Sequence, residues 1–366
     1  MIKSLGKRPR GTMIKDHLVF ETSQGSFLVR PYQPGDEKMI LPAWQAAFGK
    51  KMSLEHWCWK YPENPAGFRC LLCIAEDGTV AAHYAAQVMK INFFGEEISG
   101  LHLTDSFSHP RFRWALGGKT GLFVKTAWAF LSTYLDKIDL PQLLPLGTDL
   151  PRAQFHYGFP GERHFRLGIK LLAYRFHGPG MLYFQTSQTT SPRRLFQQRL
   201  EVSSASDFRN WELFDELLSR LPLKKFFCIL RNSAFMRWRF GSKLNNNYLI
   251  IYSKTFWRKK VKAWIILDKK FRILDFLAEK EDELLALLGV LKEVAKEINP
   301  ENKNARFEVW LAGNHPLKRA FVRAGFVPEK EPLGIVPNTR CDMDRKDVHF
   351  KDADLFFFTM ADADLF

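Results

Sequence analysis

The chain has 366 residues, 46% of them hydrophobic and 14% aromatic, and a formal net charge of +15. That apolar content suffices for sizeable cores and excludes a disordered chain, and no apolar run approaches the length that spans a bilayer. The positive charge suits polyanions such as nucleotide cofactors, acidic substrates, nucleic acid or an anionic surface, and it equally suits a merely soluble surface; charge alone does not choose among them.

Residues 1–26 read as a basic leader without the apolar core of a secretory signal, so a cytoplasmic location is expected. Residues 27–30 read as a short strand, and Pro34-Gly35-Asp36 as a turn and cap before a helix carrying Met39, Ile40, Trp44 and Phe48. Ser53 caps a second helix with Trp57-Cys58-Trp59-Lys60-Tyr61, ended by Pro62 and the Asn64-Pro65-Ala66-Gly67 turn. Strands follow over 70–75 and 79–89 around an Asp77-Gly78 turn, and over 90–94 before Gly95. The five cysteines are Cys58, Cys70, Cys73, Cys228 and Cys341. Cys70 and Cys73 have CxxC spacing inside an apolar strand, without the turn and further ligands of a metal hook; core packing is expected there, and no metal.

The stretch 101–134 organises the rest. Alternation through Leu101, Leu103, Asp105 and Phe107 ends at His109-Pro110, a glycine-rich turn runs from Gly117 to Gly121, and Phe123, Ala127, Phe130 and Tyr134 then share one helical face. Strand, glycine turn, helix is an arrangement in which backbone N–H groups at a helix start hold a phosphate. A Walker A loop would need glycine where Arg113 stands, which argues against a nucleoside triphosphate. Strands are expected at 142–147, 155–159 and 170–176, with a short helix at 162–168.

The polar run 185–192 marks a linker, placed at 181–205, between a first domain at 27–180 and a second at 206–340. In the second, helices are expected at 211–218, 235–240, 281–298 and 316–324, and strands at 248–252, 260–267, 271–277 and 306–311, with a last strand region from Gly325. The two halves repeat one order: an aromatic-basic helix, a strand meander, a long helix, and a short basic helix ending at Gly168 or Gly325. Each half is therefore an α+β unit, a mixed, mostly antiparallel sheet flanked by helices. Only the first has the glycine turn. Residues 341–366 form an acidic tail with seven Asp against three Lys or Arg, and Asp-Ala-Asp-Leu-Phe occurs twice in it. It is expected to dock on the basic body or to stay disordered; a terminal carboxylate entering an active site is the alternative.

In order and spacing these pieces resemble the GNAT superfamily of N-acetyltransferases in its tandem, two-domain bacterial form. Four carry the likeness: Trp57 to Gly67, Glu76 to Ala81, Asp105 to Phe123, and Tyr157-Gly158-Phe159-Pro160 with Leu167 to Lys170. The resemblance implies a sheet whose fourth and fifth strands splay, with acyl-CoA in the gap. It implies pantetheine contacts at Phe107, Ser108 and His109, and pyrophosphate amides at Gly118, Lys119, Thr120, Gly121 and Leu122. The sequence departs from the family where Gly118 replaces an Arg or Gln and the turn is longer; Arg113 or Lys119 is placed to supply the cation, the alternative being a loop that has lost the cofactor.

The implied reaction is transfer of acetyl from acetyl-CoA to the amine of a small molecule or peptide. Asp105 or His109 is the candidate base, His164 the candidate acid, and Trp57 and Tyr61 are candidates for the acceptor pocket. Two other classes stay open: an aminoacyl-tRNA-dependent transferase, which would bring a nucleic-acid partner that is not favoured here, and a non-catalytic binding protein on the same fold. The acceptor and the oligomeric state are not given by the sequence.

Overall fold

The structure, a computed structural model, describes residues 16–113, 121–174, 181–186, 198–242, 244, 248–255, 260–301, 305–330, 338–341 and 355–363. The chain begins β1 (Leu18–Thr22), β2 (Gly25–Pro31), α1 (Glu37–Phe48), α2 (Leu54–Lys60), β3 (Phe68–Ala75), β4 (Val80–Phe93), β5 (Glu96–Ser108), α3 (Leu122–Tyr134), β6 (Phe155–Gly158), α4 (Glu162–Leu171) and β7 (Met181–Thr186). It continues β8 (Gln198–Ser204), α5 (Glu212–Ser219), β9 (Phe226–Ile229), α6 (Ser233–Phe240), β10 (Tyr248–Thr255), β11 (Val261–Asp268), β12 (Arg272–Ala278), α7 (Glu281–Gly289) and α8 (Leu291–Ile298). It closes with β13 (Phe307–Ala312), α9 (Lys318–Arg323), β14 (Val327–Glu329), β15 (Asn338–Cys341) and β16 (Leu355–Phe357). Two compact units divide it: Met1–Lys51, Arg69–Ala85 and Asp105–Arg152 form one, and Met52–Phe68, Ala86–Thr104 and Ala153–Phe366 the other.

In the first unit the strand order is β1-β2-β3-β4-β5. β1 lies within the segment read as a leader: it pairs antiparallel with β2 from Leu18↔Val29 to Thr22↔Gly25, and Gly25 takes the positive φ the turn demands. β2 pairs in turn with β3, Phe27↔Ala75 to Pro31↔Leu71. Asp36 precedes α1 as expected but makes no side-chain cap; its carboxylate takes both guanidinium nitrogens of Arg30, at 2.7 and 2.8 Å. α3 is buried along almost its whole length, and Tyr84 of β4 meets Phe130 with ring centroids 5.0 Å apart. The expected strand over 142–147 does not form, and β4 is one strand where two were expected.

The second unit contains a seven-stranded sheet in the order β14-β7-β13-β12-β11-β10-β8. Among the described residues its strands pair antiparallel except β12 with β13. In the same unit β6 lies parallel to β5 over Gly100↔Phe155 to His102↔Tyr157 and antiparallel to β15, while β9 pairs with Ile91–Phe93 of β4 and with β16. The halves thus exchange strands: β7 follows the first half's last helix yet pairs with β13, and β15 follows the second half's last helix yet pairs with β6. The aromatic-basic helices repeat this symmetry. Trp59 Nε1 donates to the Trp238 carbonyl at 2.8 Å, and Trp238 Nε1 donates to the Trp59 carbonyl at 2.7 Å. One contact made twice in mirror roles is what an internal duplication produces.

Several boundaries differ from expectation. The ends of the 181–205 linker are β7 and β8, and buried Gln185 and Thr186 show how a polar composition concealed an interior strand. α4 continues to Leu171, so no strand begins at 170; Gly168 permits this, since a Cβ there would lie 1.9 Å from the Tyr174 ring. The helix over 281–298 is broken at Val290 into α7 and α8. The acidic tail is no surface appendage in its described part: Phe357, Phe358, Met360, Ala361 and Ala363 are all core residues. Its final residues, 364–366, lie outside the described residues, and with them the terminal carboxylate.

Candidate functional site

The end of β5 is where the first unit departs from regular geometry. Asp105 has φ +46°, in the left-handed region that a non-glycine residue enters only at a cost of about 1–3 kcal/mol. Its neighbours hold it there. His83, fully buried on β4, donates from Nδ1 to the Asp105 carbonyl at 2.8 Å. Its Nε2 lies 3.3 Å from Cys70 Sγ, and burial pushes the Cys70 thiol well above its usual pKa. The His83 ring also stacks on Phe107 at 5.0 Å and 15°. Cys70 and Cys73 are therefore core residues of β3, as expected, and Cys70 additionally supports this relay. A left-handed residue inside a strand turns its peptide out of the ladder. Asp105 keeps a half-buried side chain, as Ser108 does, while Phe107 is buried against Phe48.

His109 resumes the ladder, its N–H donating to the Ala81 carbonyl at 2.9 Å. Its Nδ1 accepts from the Arg111 N–H at 3.2 Å, capping the 3-10 turn Pro110–Phe112. Burial, then Arg111 and Arg113, lower its pKa. The neutral ring uses its lone pair on the cap and leaves Nε2 as a donor. Arg113 donates to the carbonyls of Ser108 and Ala47, both at 3.3 Å, which ties the start of the glycine-rich segment to the end of β5. Gly118, Lys119 and Thr120 lie outside the described residues. Gly121 is the N-cap of α3, with no side-chain cap and no acidic residue in the first turn. The first amides of a helix have no intrahelical acceptor and carry the positive end of its dipole, so the start of α3, at Gly121 and the buried Leu122, is suited to an anion.

The other expected residues sit in the second unit. Trp57 and Tyr61 are completely buried, their rings 4.3 Å apart, and the Tyr61 hydroxyl lies 3.0 Å from Thr104 Oγ1. Both are core residues here. His164 is on α4, 3.5 Å from the Tyr174 hydroxyl, and burial lowers its pKa. Sequence reasoning missed His83: a lone histidine in an otherwise apolar strand reads as packing, and nothing in the pattern reveals the turned carbonyl it serves.

This architecture, two copies of an α+β unit, has the fold of the GNAT N-acetyltransferases in their tandem form. The solved structures it is similar to bear this out at the level of fold. A probable N-acyltransferase from Enterococcus faecalis V583 superposes with a TM-score of 0.61 at 12% identity, covering 86% of this chain and 72% of that one. A GCN5-related N-acetyltransferase from Anabaena variabilis gives 0.56 at 11%, over 87% and 73% of the two chains. A tandem GNAT protein from the clavulanic acid biosynthesis pathway gives 0.50 at 12%, over 87% of this chain and 100% of its own. No protein-family model and no curated sequence matches the chain. Among the described residues, no helix is long and apolar enough to cross a membrane.

Proposed function

We propose that the chain is an acyl-CoA-dependent N-acyltransferase that moves an acetyl group from acetyl-CoA to an amine, with its cofactor site in the first copy. The observation that carries this reading is the left-handed Asp105, held by His83, followed in the same unit by α3 with its uncapped start. In this reading the backbone of Phe107, Ser108 and His109 binds the pantetheine arm. The amides of Gly118, Lys119, Thr120, Gly121 and Leu122 hold the pyrophosphate, with Arg113 and Lys119 as cations.

The amine nitrogen attacks the thioester carbonyl carbon, the C–S bond breaks, and coenzyme A leaves as a thiolate. Asp105 accepts the amine's proton, and His109 acts through its cap rather than as a base. The family resemblance further implies an acid for the thiolate at His164 and a small-molecule or peptide acceptor near Trp57 and Tyr61. A bacterial cytoplasm is the proposed setting.

The test is release of coenzyme A thiol against a panel of sugar, polyamine and peptide amines. Release should need both acetyl-CoA and an amine and should fall about 100-fold in Asp105→Asn. Acetyl-CoA binding without release for any amine would favour the non-catalytic reading. The net charge of +15 favours one further reading, an aminoacyl-tRNA-dependent transferase, which would show itself as tRNA binding that falls steeply with salt.

A further inference from the structure

The second copy's counterparts of β5, α3 and β6 are β12, α7 and β13, and they are built differently. β12 and β13 pair in parallel only at Arg272↔Glu308 and Ile273↔Val309. Beyond those pairs, the edge of β13 bonds the C-terminal segment instead. Leu311 bridges to Thr359, and the Ala312 N–H donates to the Phe358 carbonyl at 3.2 Å. From β12, Asp275 Oδ1 accepts from Thr359 Oγ1 at 3.0 Å. The segment therefore touches both strands where they part.

Its anchoring is ionic and fully buried. Arg231 Nη2 donates to Asp362 Oδ2 at 2.7 Å and to Thr359 Oγ1 at 3.2 Å, while its Nε reaches Asp275 Oδ1 at 3.3 Å. Arg239 donates to the carbonyls of Ala361 and Ala363, at 3.3 and 3.0 Å. Phe357 packs edge-on against Phe226 and His315. The start of α7 is closed as well. Its first turn is Glu281, Asp282 and Glu283; Glu283 accepts from the Lys280 N–H, and Arg323 pairs with the other two. Carboxylates at a helix start repel a phosphate that bare amides would attract.

We propose that the gap between β12 and β13 is a binding site whose ligand is the chain's own C-terminal segment, Leu355–Ala363, held there in place of an acyl-CoA. The second copy then contributes a closed scaffold, and the protein keeps one cofactor site. This rests on the reading that the matching gap of the first copy takes acyl-CoA.

Amide hydrogen exchange on the full chain tests it, for the wild type and Asp362→Ala, with and without millimolar acetyl-CoA. In the wild type the amides of 359–363, Ala312 and 273–278 should exchange slowly and be unmoved by acetyl-CoA. In Asp362→Ala those of 359–363 and Ala312 should quicken roughly 100-fold, while 83–109 stays unchanged. Fast exchange at 359–363 in the wild type would overturn the proposal. So would acetyl-CoA that protects 273–278 while releasing 359–363. Failure of acetyl-CoA to slow 105–134 would count against the first-copy site alone, because exchange at 359–363 still decides the occupancy of the second.

Discussion

Asp105 and Asp275 stand at one place in the duplicated order, each three residues before the end of the strand that leads to its copy's long helix. Their surroundings have diverged completely. Asp105 is half-buried and left-handed, and His83 holds its backbone carbonyl. Asp275 is wholly buried, and its carboxylate is committed to Arg231 and Thr359. The helix starts diverge in the same sense, Gly121 with a first turn free of acids against Lys280 with three. A single scaffold thus supports an anion-ready strand end in one copy and a self-filled one in the other. On the proposed function, a handful of side chains rather than the fold decides which copy keeps a cofactor site.

The comparison breaks most visibly at Arg231. Arg231→Ala leaves Asp275 and Asp362 buried without their shared cation, and it should destabilise the protein by about 3–5 kcal/mol in chemical denaturation. Arg111→Ala, which removes an exposed, solvent-screened pair with Asp77, should leave stability almost unchanged. A similar loss for both would mean that the second copy's anchor is not special.

His83→Phe probes the other side. It leaves the Asp105 carbonyl without its donor and should cost about 1–3 kcal/mol. It should also weaken acetyl-CoA binding, which Arg231→Ala at constant fold should not do. Unchanged affinity in His83→Phe would show that the bulge is not part of the cofactor site.

The smallest effect is a pH dependence. Burial raises the Asp362 pKa from 3.8 to about 6, against the opposing pull of Arg231. Arg231, Asp275, Cys228 and Thr359 face it, and of its two oxygens Oδ2 takes the Arg231 and Thr359 bonds. An acid whose folded pKa is raised contributes stability that is complete below the unfolded value and is lost as pH rises through about 6. Buried His315, whose pKa is lowered by burial and by Arg231, runs the opposite way, so the wild type alone is a poor reporter. The difference in Tm between wild type and Asp362→Asn isolates Asp362: the wild type should gain on the variant as pH falls from 8 to 5. A difference that is flat across that range would contradict the assignment.

The parts of the fold that alternate or repeat with helical period were legible in the sequence, including the β3–β4 turn at Asp77-Gly78, α3, and the meander β10–β12. The duplication was legible too, because it preserves order. What stayed hidden depends on partners distant in the chain. β7 and β15 are defined by strands of the opposite half, so their own composition, polar in one case, carried no signal. The tail's repeated Asp-Ala-Asp reads as an acidic run docked on the basic body or disordered, and gives no sign that Asp362 is buried against an arginine 131 residues away. At the candidate site Asp105 is a candidate by its place on the strand matched to the family, whereas its left-handed backbone and its bond to His83 exist only once β4 and β5 are paired. Gly118, Lys119 and Thr120 remain sequence expectations.

On the proposed function, each chain binds one acetyl-CoA at the start of α3. Equilibrium dialysis with labelled acetyl-CoA measures this directly, in the wild type and in Gly121→Glu, which places a carboxylate at the helix start. One molecule should bind per wild-type chain and none per variant chain. No binding to the wild type at about 1 mM, equivalent to less than about 4 kcal/mol of affinity, or one molecule still bound to Gly121→Glu, would contradict it.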